Sequence, residues 1–328
     1  MPTYVIDVGR AAGNNLPEQG PQLLHTKNGI SGQYAALSHV WGNGQYTVQT
    51  TMNNVIHMQQ NIDLHSIEST TLNDAMSITR SLGIPYLWID SLCIIQDGPG
   101  YDAECARMGQ IYENAAVVIA ATGAANDHVG CYLSRSKSKQ KPVQFTNRNE
   151  DGSASHYYIT VQAGSLAQDA DAGIWASRSW LLEERILARR TLHFAREQLY
   201  WECASMTRSE DGVVVPKGNP KRLFYGSLDQ VKLLKTKDPA GQDAMLCYQR
   251  WCLLVAEFTQ RTLSNANDKL DALAGIATEI TNRTGGTYLA GHWQDYLQIG
   301  LLWQAKSVRL QIPDNPLAPT WSWASRHG

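Results

Sequence analysis

The sequence predicts an α/β fold with a parallel-sheet core, extra strands and a C-terminal helical region. Three short apolar runs, at residues 34–39, 86–90 and 116–121, are typical of strands that are buried on both faces of a sheet. Between them, residues 71–82 place apolar side chains at helical spacing, and residues 102–114 form a second helical stretch. This alternation of strand and helix favours parallel strands joined by right-handed crossovers.

Beyond these elements the chain adds to the core and then changes character. A polar stretch to about residue 155 is typical of a surface excursion, and it is followed by a short apolar helix at 180–187 and by strands near 157–161, 191–194 and 198–202. We expect a second helical region near the end, with one helix over 268–282. The chain is therefore divided into an α/β core, a linker or long loop rich in Lys, Gly and Pro, and a helical extension that packs on the core, at residues 1–204, 205–242 and 243–328.

The charge balance and the cysteines exclude several classes of protein. Lys and Arg total 28 against 30 for Asp and Glu, so no basic surplus exists for general nucleic-acid binding, and the basic run at 137–141 is typical of a solvated loop. The six cysteines form no C-x-x-C pair, which favours free thiols in a reducing compartment over disulfides or a metal site. A signal-peptide pattern and an apolar run of about 18 residues are both missing, so we expect a cytoplasmic protein without a membrane segment.

Two predicted strand ends carry most of the polar chemistry. In open α/β sheets, ligands bind beyond the carboxyl ends of the strands. If the two strands are neighbours, both loops face one crevice that would take a small-molecule substrate. The candidate residues in these loops are His39, Trp41, Gly42, Asp90, Ser91, Cys93, Gln96 and Asp97.

Glu104 is the first candidate for a catalytic carboxylate. On a helical wheel over 102–114 it shares a face with Met108, Ile111 and Tyr112, which indicates a core-facing position. Loss of hydration there would raise its pKa and suit it to acid–base or cation-stabilising work. The alternative is that Glu104 only compensates the dipole of a helix start.

Asp90, Cys93 and His39 each have a functional and a structural interpretation. Asp90 at a strand end is a helix cap, a substrate ligand or a partner for an arginine. Cys93 would need a base to act as a nucleophile, and His39 or His193 would have to supply it. The alternative for Cys93 is a buried, inert thiol, and the alternative for His39 is a histidine that only satisfies hydrogen bonds at the strand end.

The segment 178–190 combines acids and arginines within an apolar helix. Glu183 and Glu184 share a face with apolar residues, and buried carboxylates must be paired. One interpretation is a structural ion-pair cluster; the other is an arginine that grips a phosphate or carboxylate. The arginines available are Arg178, Arg185 and Arg190.

Taken together, these motifs resemble the fungal heterokaryon incompatibility (HET) domain family. Tyr-Ala-Ala-Leu-Ser-His-Val-Trp-Gly at 34–42 resembles its first block, and Tyr-Leu-Trp-Ile-Asp-Ser-Leu-Cys-Ile-Ile-Gln-Asp at 86–97 is similar to its second. The second block continues through Glu104, Met108, Tyr112 and Ala115. Segments at 178–203, 268–275 and 320–325 are similar to later parts of long family members.

This resemblance implies a role in fungal non-self recognition and programmed cell death. The family is distantly similar to TIR domains, which implies a TIR-like or Rossmann-like core and, by analogy with some TIR domains, cleavage of NAD at the nicotinamide–ribose bond. Glu104 stands in the place of the catalytic glutamate and would stabilise a ribosyl cation. Trp41 or Tyr112 would stack on a ring, and Arg178 or Arg190 would hold the pyrophosphate. NAD would be a substrate, and no permanently bound cofactor or metal is expected.

Two other functions stay open beside NAD cleavage, although an enzyme is favoured. One is a stand-alone HET-fold enzyme of cyclase or isomerase type in fungal secondary metabolism, which a chain ending soon after 320–325 would suit. The other is a non-enzymatic signalling module that self-associates, so a homo-oligomer is also open. The family's third block usually reads Gln-Glu, so Glu183 is expected to add a negative charge beside the site.

Overall fold

The structure of the protein is a computed structural model. It describes residues 1–9, 20–42, 48–63, 68–135, 143–159, 164–170, 173–215, 220–221, 223–226, 242–305, 310–311, 313 and 317–326. The basic run at 137–141 and most of the linker at 205–242 lie outside the described residues. The strands are β1 (Tyr4–Asp7), β2 (Gln22–His25), β3 (Tyr34–Ser38), β4 (Tyr86–Trp88), β5 (Val117–Ala120), β6 (Val143–Arg148), β7 (Ala154–Ile159), β8 (Arg190–Phe194), β9 (Leu199–Cys203), β10 (Thr207–Ser209), β11 (Val214–Val215), β12 (Tyr288–Leu289) and β13 (His292–Trp293).

The helices alternate with these strands in the first half of the chain and dominate the last third. They are α1 (Val55–Gln60), α2 (Thr70–Ser81), α3 (Asp90–Cys93), α4 (Tyr101–Cys105), α5 (Met108–Asn114), α6 (Leu166–Ala170), α7 (Ile174–Ser177), α8 (Trp180–Leu187), α9 (Gln242–Phe258), α10 (Ala274–Thr284) and α11 (Leu297–Gly300). The predicted α/β class is therefore confirmed.

A block of parallel strands forms the centre of a mixed sheet. Strands β4, β3, β5 and β8 lie side by side and run in the same direction. Every residue of β3 and β5 is buried, as the apolar runs predict for strands that are covered on both faces. The chain passes from β3 to a neighbour on one side (β4) and then to a neighbour on the other side (β5), so β3 is the point where the strand order reverses. A ligand site is expected at the carboxyl end of such a strand.

Antiparallel strands complete the sheet on both edges. Among the described residues, nine strands form one sheet in the order β11-β10-β9-β8-β5-β3-β4-β1-β2. Residues 207–215, which the sequence analysis assigned to a linker or long loop, supply the hairpin β10–β11 of this sheet. The strands β6 and β7 pair only with each other in the described part of the chain and stand apart from the main sheet.

The helix predicted over 102–114 is interrupted. Helix α4 ends at Cys105 and α5 begins at Met108, with a turn at Ala106 and Arg107 between them. The amide of Arg107 donates to the carbonyl of Glu104, only three residues back, so the turn is tighter than an α-helical one. A continuous helical wheel therefore does not hold across this segment, and the predicted shared face of Glu104 and Met108 was derived from the wrong geometry.

The C-terminal helices pack directly on the α/β part. Helix α10 meets α5 at Gly109 and Gly275, where a Cβ added to Gly275 would lie 2.9 Å from the Cα of Gly109. A second apolar core joins α8 to α9 and α10. The helix predicted over 268–282 is present as α10, but it begins later, at Ala274, because the residues before it form two 3₁₀ turns at Ala266–Lys269 and Asp271–Leu273.

Candidate functional site

A cleft of about 440 Å³ opens at the carboxyl ends of β3 and β4, next to α8. Its lining combines the loop after β3, the start of α3, helices α4 and α8, and a segment of the C-terminal region. The lining residues are His39, Trp41, Gly42, Asp90, Ile94, Gln96, Tyr101, Cys105, Met108, Arg178, Trp180, Leu181, Glu184, Ser264 and Asp268. The reversal of strand order at β3 accounts for the position of this cleft.

Asp90 is the first residue of α3 and is fixed by two donors. The indole Nε1 of Trp41 donates to Oδ2 at 2.9 Å, and the amide of Ser91 donates to Oδ1 at 2.8 Å. Burial raises the pKa of Asp90 to about 6, against the lowering effect of these donors and of the Arg178 guanidinium. The carboxylate is consequently ionised at neutral pH but titrates close to it.

Glu184 is a second acid in the cleft, and its state is different. It is buried on α8, and its Oε2 has no hydrogen-bond partner among the described residues. Burial, followed by the negative charge of Asp90, raises the pKa of Glu184 to about 8, while hydrogen bonds with Ser38 and Tyr112 oppose the shift. At neutral pH this group is mostly a neutral carboxylic acid, so the cleft holds two acids of different protonation.

Arg178 and His39 supply the remaining polar groups of the cleft wall. Arg178 follows α7, and its positive charge lowers the pKa of Asp90, Glu184 and His39. Burial is the larger effect on His39 and lowers its pKa to about 3, so the imidazole is neutral. Arg178 is therefore the cation of the cleft lining among the described residues.

Aromatic side chains and one late segment complete the cleft. Trp41 is oriented by Asp90, and the indole of Trp180 donates to Oδ2 of Asp268 at 3.2 Å. Asp268 also accepts from the side chain of Asn265 at 2.9 Å. Planar rings and hydrogen-bonding carboxylates in one cleft suit a ligand with an aromatic ring and polar substituents.

The structure brings seven of the sequence-predicted site residues into this cleft. They are His39, Trp41, Gly42, Asp90, Gln96, Arg178 and Glu184. Gln96 braces the cleft by donating to the backbone carbonyls of Asp90 and Ile94. The other six predicted residues, Ser91, Cys93, Asp97, Glu104, Tyr112 and Arg190, are not among the lining residues.

Glu104 is held on another side of α4. Its carboxylate accepts from the hydroxyl of Thr3 and pairs with the guanidinium of Arg107 at 3.0 Å. Arg107 in turn donates to the backbone oxygen of Met1. The next residue, Cys105, lines the cleft instead. The contacts of Glu104 tie the helix to the start of β1, and the turn after Cys105 explains why the wheel placed it differently.

The five other residues outside the lining have structural contacts. Cys93 is a buried thiol whose pKa is raised by burial, and His193 is hydrogen-bonded to Glu202 and Thr122 rather than to this thiol. The amide of Met52 donates to Asp97, and Arg190 is exposed and donates to the carbonyl of Ala116. Ser91 and Tyr112 are buried, and Tyr112 donates to the carbonyl of Leu37 behind Glu184.

The acids and arginines of α8 separate into two different arrangements. Arg185 forms a buried two-point ion pair with Glu202 of β9, with both N···O distances at 3.1 Å. His193 and Lys221 contact the same carboxylate at 3.2 and 3.8 Å. This cluster matches the structural interpretation of the segment for Arg185, whereas Arg178 faces the cleft.

Glu183 does not face the cleft. Its Oε2 accepts from the amide of Gly275 at 2.8 Å, at the start of α10, and burial raises its pKa to about 7. The expectation that Glu183 adds a charge beside the site is therefore wrong, because the side chain turns to the opposite side of α8 and caps a helix of the C-terminal region.

Sequence reasoning missed several lining residues. Trp180 and Met108 lie within predicted helices, and Cys105 follows Glu104 directly, but none of the three was predicted as a site residue. Ser264 and Asp268 lie far along the chain, and the only signal for Asp268 was its position at the start of the segment 268–275 that resembles the family. Asp268 is so far in sequence from the two strand ends that no local pattern predicts its position in the cleft.

Comparison with known proteins identifies one family. A family model described as heterokaryon incompatibility protein (HET) matches residues 34–184, the part of the chain that contributes Asp90, Arg178 and Glu184. No curated protein and no solved structure matches the chain.

In the described ranges, no helix has both the length and the apolar composition to cross a membrane. The same ranges contain no group of three or more His, Cys, Asp or Glu side chains arranged to hold a metal ion.

Proposed function

Because this chain carries a HET domain at residues 34–184, we propose that it is an enzyme of non-self recognition and cell death that cleaves the nicotinamide–ribose bond of NAD in the cleft beside β3. The observation that carries the proposal is the ionisable Asp90, which Trp41 and Ser91 fix in a cleft that also holds Arg178. The proposal gives Asp90 the role that the family resemblance implied for Glu104, since Glu104 is engaged with Thr3 and Arg107 outside the lining.

The chemistry follows from the charge of the substrate and of the leaving group. When the bond between ribose C1′ and the pyridinium nitrogen breaks, its electron pair stays on nicotinamide, which leaves as a neutral molecule without needing a proton. Positive charge then develops on the ribosyl C1′, and the Asp90 carboxylate stabilises it. A water adds to C1′, and Asp90 accepts the proton that this water loses.

The other polar groups of the cleft bind and orient. Glu184, being neutral, donates a hydrogen bond to a substrate oxygen without repelling the phosphates. Arg178 pairs with the pyrophosphate, because a guanidinium matches the geometry of phosphate oxygens. Trp41 and Trp180 offer aromatic surfaces for the nicotinamide or adenine ring.

A direct test measures nicotinamide release. Purified protein is incubated with NAD, and nicotinamide and ADP-ribose are quantified by chromatography. We expect Asp90→Asn to lower the rate by about a hundredfold or more. Asp102→Asn, an exposed acid on α4, is the matched control and should retain the wild-type rate. Release of no nicotinamide by the wild type, or full activity of Asp90→Asn, would overturn the proposal.

A second candidate function is self-association without catalysis. The hairpin β6–β7 exposes Val143, Phe145 and Tyr157, each more than half exposed. Phe145 and Tyr157 lie opposite each other on one face of the hairpin, and adjoining exposed apolar side chains favour protein contacts. Expression in fungal cells separates the two functions. Toxicity lost in Asp90→Asn but kept in a Phe145→Ser and Tyr157→Ser double variant supports catalysis, and the reverse pattern supports self-association.

A toxicity that neither variant changes, or the absence of toxicity, rejects the role in cell death. If the purified protein also releases no nicotinamide, the same cleft is assigned to another small-molecule reaction, such as the cyclase or isomerase chemistry that the sequence left open.

A further inference from the structure

A second cavity, of about 550 Å³, lies in the C-terminal region. It is bounded by α9, by the turn between β12 and β13, by α11 and by the segment around Trp323. It shares no lining residue with the cleft beside β3, and it lies outside the residues that the family model matches. Its volume is within the range of about 300–1,000 Å³ that is usual for small-molecule sites.

Two tryptophans are held in place by a single carbonyl group. The indoles of Trp251 and Trp323 both donate to the backbone oxygen of Gly291, at 3.0 Å each. Gly291 has φ +94°, and a Cβ at this position would lie 2.5 Å from Nε1 of Trp323, so the turn requires glycine. Since both polar N–H groups are satisfied by the backbone, what the rings offer a ligand is apolar surface.

Apolar side chains at the rim are left exposed. Leu302 is 78% exposed and Ile299 is 46% exposed, and both line the cavity. Exposed apolar surface that continues into a concave, tryptophan-walled cavity is typical of a ligand site, because burial of that surface by a ligand is favourable.

The charge of the lining is of one sign. Lys269 and Arg326 are cationic, and the described lining residues include no Asp or Glu. The Nζ atom of Lys269 lies 5.7 Å from the ring centroid of Trp323 and donates to the backbone oxygen of Arg326. Burial lowers the pKa of Lys269, so its ammonium group is partly dehydrated and would be stabilised by an anionic partner.

We propose that this cavity binds an apolar molecule that carries one carboxylate, of the size of a decanoic acid. The carboxylate pairs with Lys269, and the apolar body lies against Trp251, Trp323 and Leu302. The assignment is independent of the proposed NAD chemistry, since the two sites have no residue in common.

The first experiment separates the charge from the apolar body. Decanoate, decan-1-ol and decylammonium are titrated into the full chain by calorimetry. We expect decanoate to bind about tenfold more tightly than the alcohol, because one partly dehydrated charge pair contributes on this order, and decylammonium to bind most weakly. Lys269→Met should remove the difference between decanoate and the alcohol, Lys269→Arg should keep it, and Lys27→Met, an exposed lysine elsewhere, should change nothing.

The second experiment locates the ligand. Ala256 lines the cavity on α9, and Leu253 lies on the same helix, 59% exposed and outside the lining. Ala256→Trp fills the cavity and should abolish decanoate binding, whereas Leu253→Trp should leave it intact. The proposal is overturned if decanoate does not bind, if it binds no better than the alcohol, or if Ala256→Trp binds it like the wild type.

Discussion

The cleft beside β3 and the cavity of the C-terminal region differ in almost every physical respect. The cleft beside β3 is built on strand ends and holds Asp90, Glu184 and Asp268 around Arg178. The cavity of the C-terminal region is built on helices and tryptophans and carries only positive charge among its described lining residues. Burial raises the pKa values of Asp90 and Glu184, which suits the proposed bond cleavage, whereas fixed apolar walls with a cationic end suit ligand recognition.

The interiors behind the two cavities differ in the same way. Behind the cleft, a buried ion cluster around Glu202 joins α8 to β8 and β9. Behind the second cavity, the contacts are aromatic, with Trp251 packed edge-on against Tyr288 and Trp293. Each region is therefore stabilised by a different type of interaction. A single substitution should show how much one type contributes to stability without disturbing the other.

The largest expected effect comes from breaking the ion cluster. Glu202→Gln removes the buried negative charge that pairs with Arg185 and Lys221, and we expect the free energy of unfolding to fall by about 3 kcal/mol or more. Urea denaturation followed by circular dichroism measures the change. Glu150→Gln, an exposed acid in the β6–β7 turn, is the control and should shift the midpoint little. Equal stability of the two variants would contradict the importance of the cluster.

The next effect concerns the junction between the two regions. In Gly275→Ala the added Cβ would lie 2.8 Å from Oε1 of Glu183 and 2.9 Å from the Cα of Gly109, so α10 must move away from α5 and α8. We expect a loss of about 1–3 kcal/mol, the usual cost of overpacking, in thermal unfolding. Thr278→Ala, at an exposed position of the same helix, should have a much smaller effect. A stable Gly275→Ala variant would show that the two regions are not in tight contact there.

Glu184, in the cleft beside β3, should make the stability of the protein depend on pH. Its pKa is raised from 4.5 to about 8 on folding, so the folded protein keeps a proton that the unfolded chain loses as the pH rises between these values. Unfolding therefore becomes easier over this range. Glu184→Gln stays neutral, and we expect it to be more stable than the wild type at pH 8 by at least about 1.4 kcal/mol, the equivalent of one pKa unit, but similar at pH 4. Parallel pH–stability curves for the two proteins would contradict this.

The smallest expected effect is a shift in the pH dependence of activity. The proposed NAD cleavage requires ionised Asp90, so its rate should fall as the pH decreases through about 6. Trp41→Phe removes the donor to Oδ2, which raises the pKa of Asp90 and moves this acid limb to higher pH by about 0.5–1 unit. The pH profile of nicotinamide release measures it, and an unchanged acid limb would assign that limb to another group.

The sequence predicted the centre of the fold well because that part depends on local patterns. The buried runs became β3, β4 and β5, and the amphipathic stretch at 71–82 became α2, over Thr70–Ser81. The apolar helix at 180–187 became α8 with the same bounds. By contrast, β1 and β2 have no distinctive periodicity, and the place of β1 beside β4 depends on contacts between distant segments that no local pattern encodes.

The candidate site was predictable where it depended on strand ends and unpredictable where it depended on a helix register. His39, Trp41 and Asp90 line the cleft because carboxyl ends of parallel neighbours meet at one edge. Glu104 does not line it, because one tight turn at 106–107 breaks the helical register on which its assignment rested.

The reach of Asp268 across to Trp180 has a consequence for how this protein can be rearranged. Residues 34–184 contain neither that wall of the cleft nor β8, which is hydrogen-bonded in parallel to β5. A chimera that exchanges only residues 34–184 between relatives would therefore take Asp90, Arg178 and Glu184 from one parent and Asp268 from the other. An exchange limited to residues 34–184 would therefore change ligand preference and folding together. The segment that has to be exchanged as a unit is longer than the segment that the family model matches.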